Sequence, residues 1–190
     1  WMKQYLKQHN IALTGFMGAG KSTVAEMMSL MFAMKPVEMD SLIARREGMT
    51  INEIFAKFGE PYFRARETAL LKELSGECGC VISCGGGTVL REENVRQLKM
   101  NSRIVLLTAT AETILKRVRD SDDRPILNGH KDVDFIGALM ERRRQAYEQA
   151  ADIIVSTDDK TVDEICLEIL DALIPVSYTH LRAHETRHDL

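Results

Sequence analysis

The sequence predicts a three-layer α/β domain: a five-stranded parallel sheet with helices on both faces. Three observations carry that prediction. Five short, β-favouring apolar runs alternate with longer amphipathic stretches, the pattern of successive βαβ units. The runs are almost wholly apolar, as strands covered on both faces must be. A glycine-rich turn follows the first run and opens the first amphipathic stretch, a strand–turn–helix order.

The first strand is expected at Ile11-Ala12-Leu13-Thr14 and the second at Pro36-Val37-Glu38-Met39. The third is Val81-Ile82-Ser83-Cys84, the fourth Ile104-Val105-Leu106-Leu107 and the fifth Ile153-Ile154-Val155. Between them, Thr23–Met34 repeats apolar residues at Val24, Met27, Met28, Met31 and Phe32, a helical spacing. Ile51–Phe58 does the same through Ile51, Ile54, Phe55 and Phe58. Leu70, Leu71 and Leu74 mark a third helix, Ile114, Leu115 and Val118 a fourth, and Phe135–Tyr147 a fifth. A last helical pattern runs through Val162, Ile165, Cys166, Ile169, Leu170 and Leu173 and stops at Ile174-Pro175. Arg119–Asp134 is highly charged, contains Pro125 and Gly129 and has little periodicity, so it reads as a mobile surface loop or lid.

Composition narrows the function classes. The chain has 190 residues, 45% apolar and 28% charged, enough apolar material for one core and too much for a disordered chain. No apolar run approaches the roughly 18 residues of a membrane helix, and no secretory signal opens the chain. Lys+Arg is 25 against Asp+Glu 28, a net charge of −3, which argues against charge-driven nucleic-acid binding. An anionic ligand must therefore be held by a local cluster of cations. Cys78, Cys80, Cys84 and Cys166 lack the spacing of a zinc site or a disulfide framework and read as thiols in a reducing compartment, the cytoplasm.

Both ends depart from the pattern of the body. Trp1 precedes Met2, and Val176–Thr186 has no helical or strand period. That string resembles the translation of a transposon-type sequencing adapter, so the expected domain is 2–175, with 176–190 a read-through segment. The alternative is a genuine metal-binding tail carrying His180, His184 and His188.

Gly15-Phe16-Met17-Gly18-Ala19-Gly20-Lys21-Ser22 fits G-x-x-x-x-G-K-[ST] between a strand and a helix. Its glycines let the backbone turn tightly and present N–H groups to phosphate oxygens, and the helix N-terminus adds partial positive charge. Lys21 can reach the β- and γ-phosphates of a nucleotide, and the Ser22 hydroxyl can ligate Mg²⁺. The motif points to a nucleotide without choosing a reaction.

Further segments choose one. They are Met39-Asp40-Ser41-Leu42-Ile43, then Gly48-Met49-Thr50-Ile51-Asn52-Glu53-Ile54-Phe55, running into Gly59-Glu60-Pro61-Tyr62-Phe63-Arg64-Ala65-Arg66-Glu67. Gly85-Gly86-Gly87, Arg124-Pro125-Ile126-Leu127 and Arg142-Arg143 ahead of Tyr147 follow in order. Together with the phosphate loop this set resembles shikimate kinase, a small nucleoside-monophosphate-kinase-like family of aromatic amino-acid synthesis, from about Asn10 to Ile174. The resemblance implies transfer of the γ-phosphoryl group of ATP to the 3-hydroxyl of shikimate, with Mg²⁺, by a cytoplasmic monomer. Neither nucleic acid nor membrane is expected as a partner.

It also implies roles. Gly15, Gly18, Ala19, Gly20, Lys21, Ser22 and Thr23 would hold the nucleotide, with Arg117 near the adenine; Lys116 and Arg119 are close alternatives. Arg124 would fold over the nucleotide with the lid and touch the transferring phosphate, so that Lys21, Asp40 and Arg124 form the catalytic set. Asp40 would contact the hydroxyls of shikimate and accept the proton of the attacking one; read alone, it could equally cap a helix over Ser41–Arg46. Arg64 and Arg143 would hold the substrate carboxylate, which suits the guanidinium fork. Arg142 and Arg144 flank Arg143 in a basic run, and the register could slip by one. Gly85, Gly86 and Gly87 would let backbone approach the substrate ring. Many family members carry Asp-x-Asp after the second strand, whereas here Glu38 takes the first position, beside Ser22 as a metal-binding candidate. Competing readings are another small-acid kinase, such as one acting on gluconate, or a nucleoside monophosphate kinase. A catalytically silent module that keeps the fold is a third.

Overall fold

The computed structural model describes residues 1–119 and 132–174. Its sheet contains β1 (Asn10–Thr14), β2 (Lys35–Glu38), β3 (Cys80–Ser83), β4 (Ser102–Thr108) and β5 (Ile153–Ser156). All neighbours run parallel, in the order β2-β3-β1-β4-β5. Every residue of β1 and β3 is buried. Side chains alternate between the two faces of a strand, so both faces of the central sheet are covered.

The helices are α1 (Met2–Gln8), α2 (Lys21–Phe32), α3 (Met39–Glu47), α4 (Ile51–Phe58) and α5 (Glu60–Leu74). After a 3₁₀ turn at Thr88–Leu90 come α6 (Glu92–Lys99), α7 (Ala111–Val118), α8 (Val133–Ala150) and α9 (Val162–Leu173). Several starts are written in local chemistry. Thr50 and Glu53 form a reciprocal capping box at α4, as do Thr161 and Glu164 at α9. Thr110 caps α7, and the Asp132 carboxylate accepts from the Phe135 N–H at 2.8 Å to start α8.

The expected elements are present, with shifted bounds. β2 ends at Glu38, because Met39 already belongs to α3 and is fully buried there. Glu38, not Asp40, is the N-cap residue of α3; Asp40 sits one residue into the helix, so the capping alternative for Asp40 does not describe it. α8 starts at Val133, inside the stretch read as a lid, owing to the Asp132 cap. Residues 120–131 of that stretch, including Arg124, lie outside the described residues, as does the 175–190 tail. α5 extends ten residues before its leucines, since its buried face continues through Phe63, Glu67 and Thr68. Met31, counted on the apolar face of α2, is exposed, and Ala25 takes its place in the core.

Two helices, α1 and α6, have no counterpart in the sequence analysis, and α3 has one only in the helix over Ser41–Arg46 that Asp40 would cap. Each is short and polar, and each buries only one or two side chains, such as Leu6 in α1 and Asn94 with Leu98 in α6. Such segments offer too few apolar residues for a period to show.

At the amino-terminal edge of the sheet a buried asparagine ties strands to a helix end. Asn10 donates through Nδ2 to the carbonyls of Glu77 (2.9 Å) and Leu74 (3.3 Å), and its Oδ1 accepts from the Cys80 N–H at 2.9 Å. The side chain thereby satisfies the end of α5 and the start of β3 together. Cys80, Cys84 and Cys166 are buried, Cys78 is exposed, and all four are free thiols. Asn10→Ala should lower the unfolding free energy by about 2 kcal/mol, since it leaves the buried Cys80 N–H without its partner, whereas the Leu74 and Glu77 carbonyls keep the Glu77 N–H and Asn101 respectively. Urea denaturation of the two proteins checks this through the midpoint at unchanged slope.

Candidate active site

The carboxyl ends of β1, β2 and β3 lie side by side, so the segments that follow them share one edge of the sheet. The connection from β1 leaves towards β2, while that from β4 leaves towards β5; ligands of open α/β sheets bind at such a divergence.

The phosphate loop leaves β1 at Gly15. Gly15 has φ +145°, and a Cβ there would meet the Leu107 carbonyl oxygen at 2.4 Å. Gly18 has φ +79° and packs on Val118, where a Cβ would come within 2.9 Å. Glycine is therefore required twice, once for β4 and once for α7. Ala19 is buried and its N–H closes the loop on the Phe16 carbonyl at 3.0 Å. Gly20 is the left-handed N-cap of α2, with open space around it, and Ser22 and Thr23 are exposed in the first turn. The Lys21 ammonium donates to the carbonyls of Gly15 (2.6 Å) and Phe16 (3.2 Å), folded over its own loop.

A cleft of about 90 Å³ runs from Gly18 and Lys21 past Ser22, Glu38 and Asp40 to Gly85. Glu38 is half-buried. Burial pushes its carboxyl above the ordinary range, the hydroxyls of Ser22 and Ser83 oppose that shift, Asp40 adds to it, and Lys21 opposes it. Cys84 lines the same cleft, and burial pushes its thiol up to about 12, so it stays protonated and inert near neutral pH.

The far end of the cleft is floored by Gly85-Gly86-Gly87. A Cβ on Gly85 would lie 2.9 Å from Asp40 Oδ1 and 2.9 Å from Glu67 Oε2. One on Gly86 would lie 3.4 Å from Arg143 Nη1, and one on Gly87 would meet both terminal nitrogens of Arg64 at 2.6 Å. Four charged side chains from α3, α5 and α8 thus rest on three residues of backbone. Arg64 donates to Glu67 at 2.7 Å and to Glu60 at 3.2 Å, with its side chain 18% exposed. Burial works against its charge, but Glu67 and Glu60 outweigh it and raise its pKa. Arg143 lies with its guanidinium carbon 5.8 Å from the centre of the Phe16 ring, a cation–π contact. Arg142 and Arg144 are exposed, and Arg144 pairs with Glu141 and Glu148, so the register stands at Arg143.

Arg117 reaches the phosphate loop from α7. It donates to the Gly18 carbonyl at 3.0 Å and to the Thr157 hydroxyl at 3.1 Å, tying the loop to the segment after β5, while Lys116 is exposed. Arg124 is outside the described residues.

Three residues of the site were not singled out from sequence. Glu67 is fully buried and bridges Arg64 to Thr88; a carboxylate three residues after an arginine on one helix was the available signal. Tyr147 is buried, donates to the Gly86 carbonyl at 2.5 Å and contacts Arg143; its position four residues beyond that arginine was the signal. Phe16 carries no signal, because the loop motif leaves its position open.

A family model described as shikimate kinase matches residues 17–174. The shikimate kinase of Geobacter metallireducens is 41% identical over 160 residues, which cover 84% of this chain and 89% of that one. Among solved structures, a shikimate kinase from Acinetobacter baumannii in complex with shikimate is 31% identical with a TM-score of 0.83, covering 90% of this chain and 96% of that one. The shikimate kinase of Aquifex aeolicus is 39% identical with a TM-score of 0.75, covering 86% and 95%.

Gly87→Ala is the sharpest probe of the floor. Its backbone accepts a side chain without strain, so the loss of stability should be about 1–3 kcal/mol and come from pulling Arg64 off the buried Glu67. The Arg64 guanidinium must move aside, so a carboxylate ligand should bind at least about tenfold more weakly. Thermal unfolding and ligand titration of the same variant check the two halves.

Proposed function

The chain belongs to the shikimate kinase family, and on that premise we propose that it transfers the γ-phosphoryl group of ATP to the 3-hydroxyl of shikimate, giving shikimate 3-phosphate and ADP. The observation that carries the assignment of roles is the glycine floor. Arg64 and Arg143 converge on Gly86 and Gly87, while Asp40 and Glu67 converge on Gly85, at the end of a cleft that begins at the phosphate loop. A small acid bearing hydroxyls needs such an arrangement, with its carboxylate at the arginines and a hydroxyl at an aspartate.

In this reading Asp40 orients the 3-hydroxyl and accepts its proton as the oxygen attacks the γ-phosphorus. The bond from that phosphorus to the bridging oxygen breaks, and ADP leaves with the bridging oxygen. Gly15, Gly18, Ala19 and Gly20 present backbone to the phosphates, and Ser22 and Thr23 open the helix beside them. Lys21 exchanges the Gly15 and Phe16 carbonyls for phosphate oxygens and stabilises the charge that develops on them. Arg117 already lies against Gly18 and would flank the base. The family resemblance gives Arg124 the charge on the transferring group.

Kinases of this kind work with a divalent metal, and we take it to be Mg²⁺. The Ser22 hydroxyl beside the Glu38 carboxylate, with Asp40 near, is a set of hard oxygen donors suited to that ion and too few to cage it, which fits an ion shared with phosphates. When bound, it neutralises phosphate charge. Glu38 for aspartate lengthens the arm by a methylene and keeps the charge.

The described site residues all come from a single chain, and we take it to act as a monomer. Three buried free thiols support a reducing compartment, the cytoplasm. No helix among the described residues is long and apolar enough to cross a membrane. Residues 2–175 are taken as the active unit and 176–190 as dispensable.

ADP release with ATP and Mg²⁺ should require shikimate, and gluconate or no acceptor should give none; release with gluconate instead would assign a different small acid. A chain ending at Pro175 should match the full chain. Asp40→Asn should lower turnover by at least about a hundredfold, and near-normal turnover would remove the role of proton acceptor from Asp40.

A further inference from the structure

Behind Arg64 runs a buried polar chain that phosphoryl transfer does not itself use. Glu67 accepts from Arg64 Nη1 at 2.7 Å with one oxygen and from the Thr88 hydroxyl at 2.6 Å with the other. The Thr88 carbonyl accepts from Asn94 Nδ2 at 2.9 Å, and Asn94 Oδ1 accepts from the Thr68 hydroxyl at 2.7 Å. Thr68 lies one turn beyond Arg64 on α5, and its one hydroxyl proton, given to Asn94 at the shorter distance, has the Arg64 carbonyl at 3.1 Å as its other acceptor. Arg91 closes the loop, donating to the Thr68 hydroxyl at 3.1 Å and the Arg64 carbonyl at 3.2 Å. Glu67, Thr88 and Asn94 are fully buried.

The chain answers a specific problem. An arginine has many rotamers, and Glu67 is what selects one for the inner nitrogen of Arg64. Glu67 is itself free to turn about its last torsion unless its second oxygen is held. The Thr88 hydroxyl holds it, and Asn94 holds the backbone that carries Thr88. Asp40 also lies close to Glu67, so a Glu67 released by Thr88 would be repelled by its neighbour and left with one buried oxygen unpaired.

We propose that Thr88, braced by Asn94, is a positioning residue for the acid substrate: its hydroxyl orients Glu67, which aims Arg64 at the substrate carboxylate. The proposal rests on the reading of Arg64 as the carboxylate clamp. Thr88 touches neither substrate nor nucleotide in this scheme and acts only through Glu67.

The test compares Thr88→Val, which keeps the shape and loses the hydroxyl, with Thr88→Ser, which keeps the hydroxyl, in the full chain. Thr88→Val should raise KM and Kd for shikimate about tenfold, leaving KM for ATP and kcat within about twofold. Thr88→Ser should restore shikimate affinity. Should valine not be accommodated, shown by loss of ATP binding, Thr88→Ala reads the same hydrogen bond. Arg64→Ala is the reference. If it loses shikimate affinity while Thr88→Val, or Thr88→Ala in its place, does not, the proposal fails and the clamp stands. Equal losses of affinity for ATP and shikimate in a folded variant would also overturn it, as the mark of a merely structural residue. A wild-type chain that does not bind shikimate would overturn the proposal together with the reading beneath it.

Discussion

Three consecutive glycines at the carboxyl end of β3 leave a strip of backbone that charged side chains approach more closely than a Cβ would permit. Asp40 and Glu67 rest on Gly85, Arg143 on Gly86 and Arg64 on Gly87. The rest of the site depends on that clearance. A methyl group at Gly85 would push two carboxylates apart, and one at Gly87 would displace a guanidinium from its partners. The strip is held in place by the sheet, through β3 pairing with β1 and β2, and by Tyr147 donating to the Gly86 carbonyl.

Gathering like charges into one cleft has an electrostatic cost, and the cleft is arranged to limit it. Burial and mutual repulsion raise the carboxyl groups of Glu38 and Glu67, and hydroxyls with opposite charges pull them back. Glu67 is tolerable in the interior because Arg64 and Thr88 fill both of its oxygens. Lys21 is satisfied by loop carbonyls, for which a phosphate can substitute as acceptor of the ammonium. The phosphate loop and the glycine floor are also in mechanical contact, since Phe16 of the loop lies under Arg143. A residue that the loop motif leaves unspecified thus joins the two halves of the site.

Much of this was legible in the sequence. The five strands showed as apolar runs because parallel strands are buried on both faces. The phosphate loop showed because its glycines and Lys-Ser are constrained by backbone geometry that few residues satisfy. Arg64, Arg143, Asp40 and the three glycines were reached through the family resemblance that their motifs carry, and they converge on one floor. Short polar helices such as α1 and α6 were not legible, because burying one or two residues leaves no period. Glu67, Tyr147 and Phe16 were passed over for a related reason: an acid or an aromatic on a helix is most often a solvated or a core residue, and nothing local separates those fates.

The sequence by itself therefore determined the fold class, the phosphate-binding loop and the identity of the charged groups. Each of these is encoded in local patterns of apolarity, glycine and charge. The tertiary structure alone decided which charges meet. The register of α8 sends Arg143 to Gly86 and Arg144 to its own helix, and the packing of α5 against α6 and the turn after β3 buries Glu67 between Arg64 and Thr88. The Arg64–Glu67 pair is a local helix spacing, but the contacts that place it, Thr88 to Glu67 and Tyr147 to Gly86, join residues 21 and 61 positions apart and follow from how the helices pack.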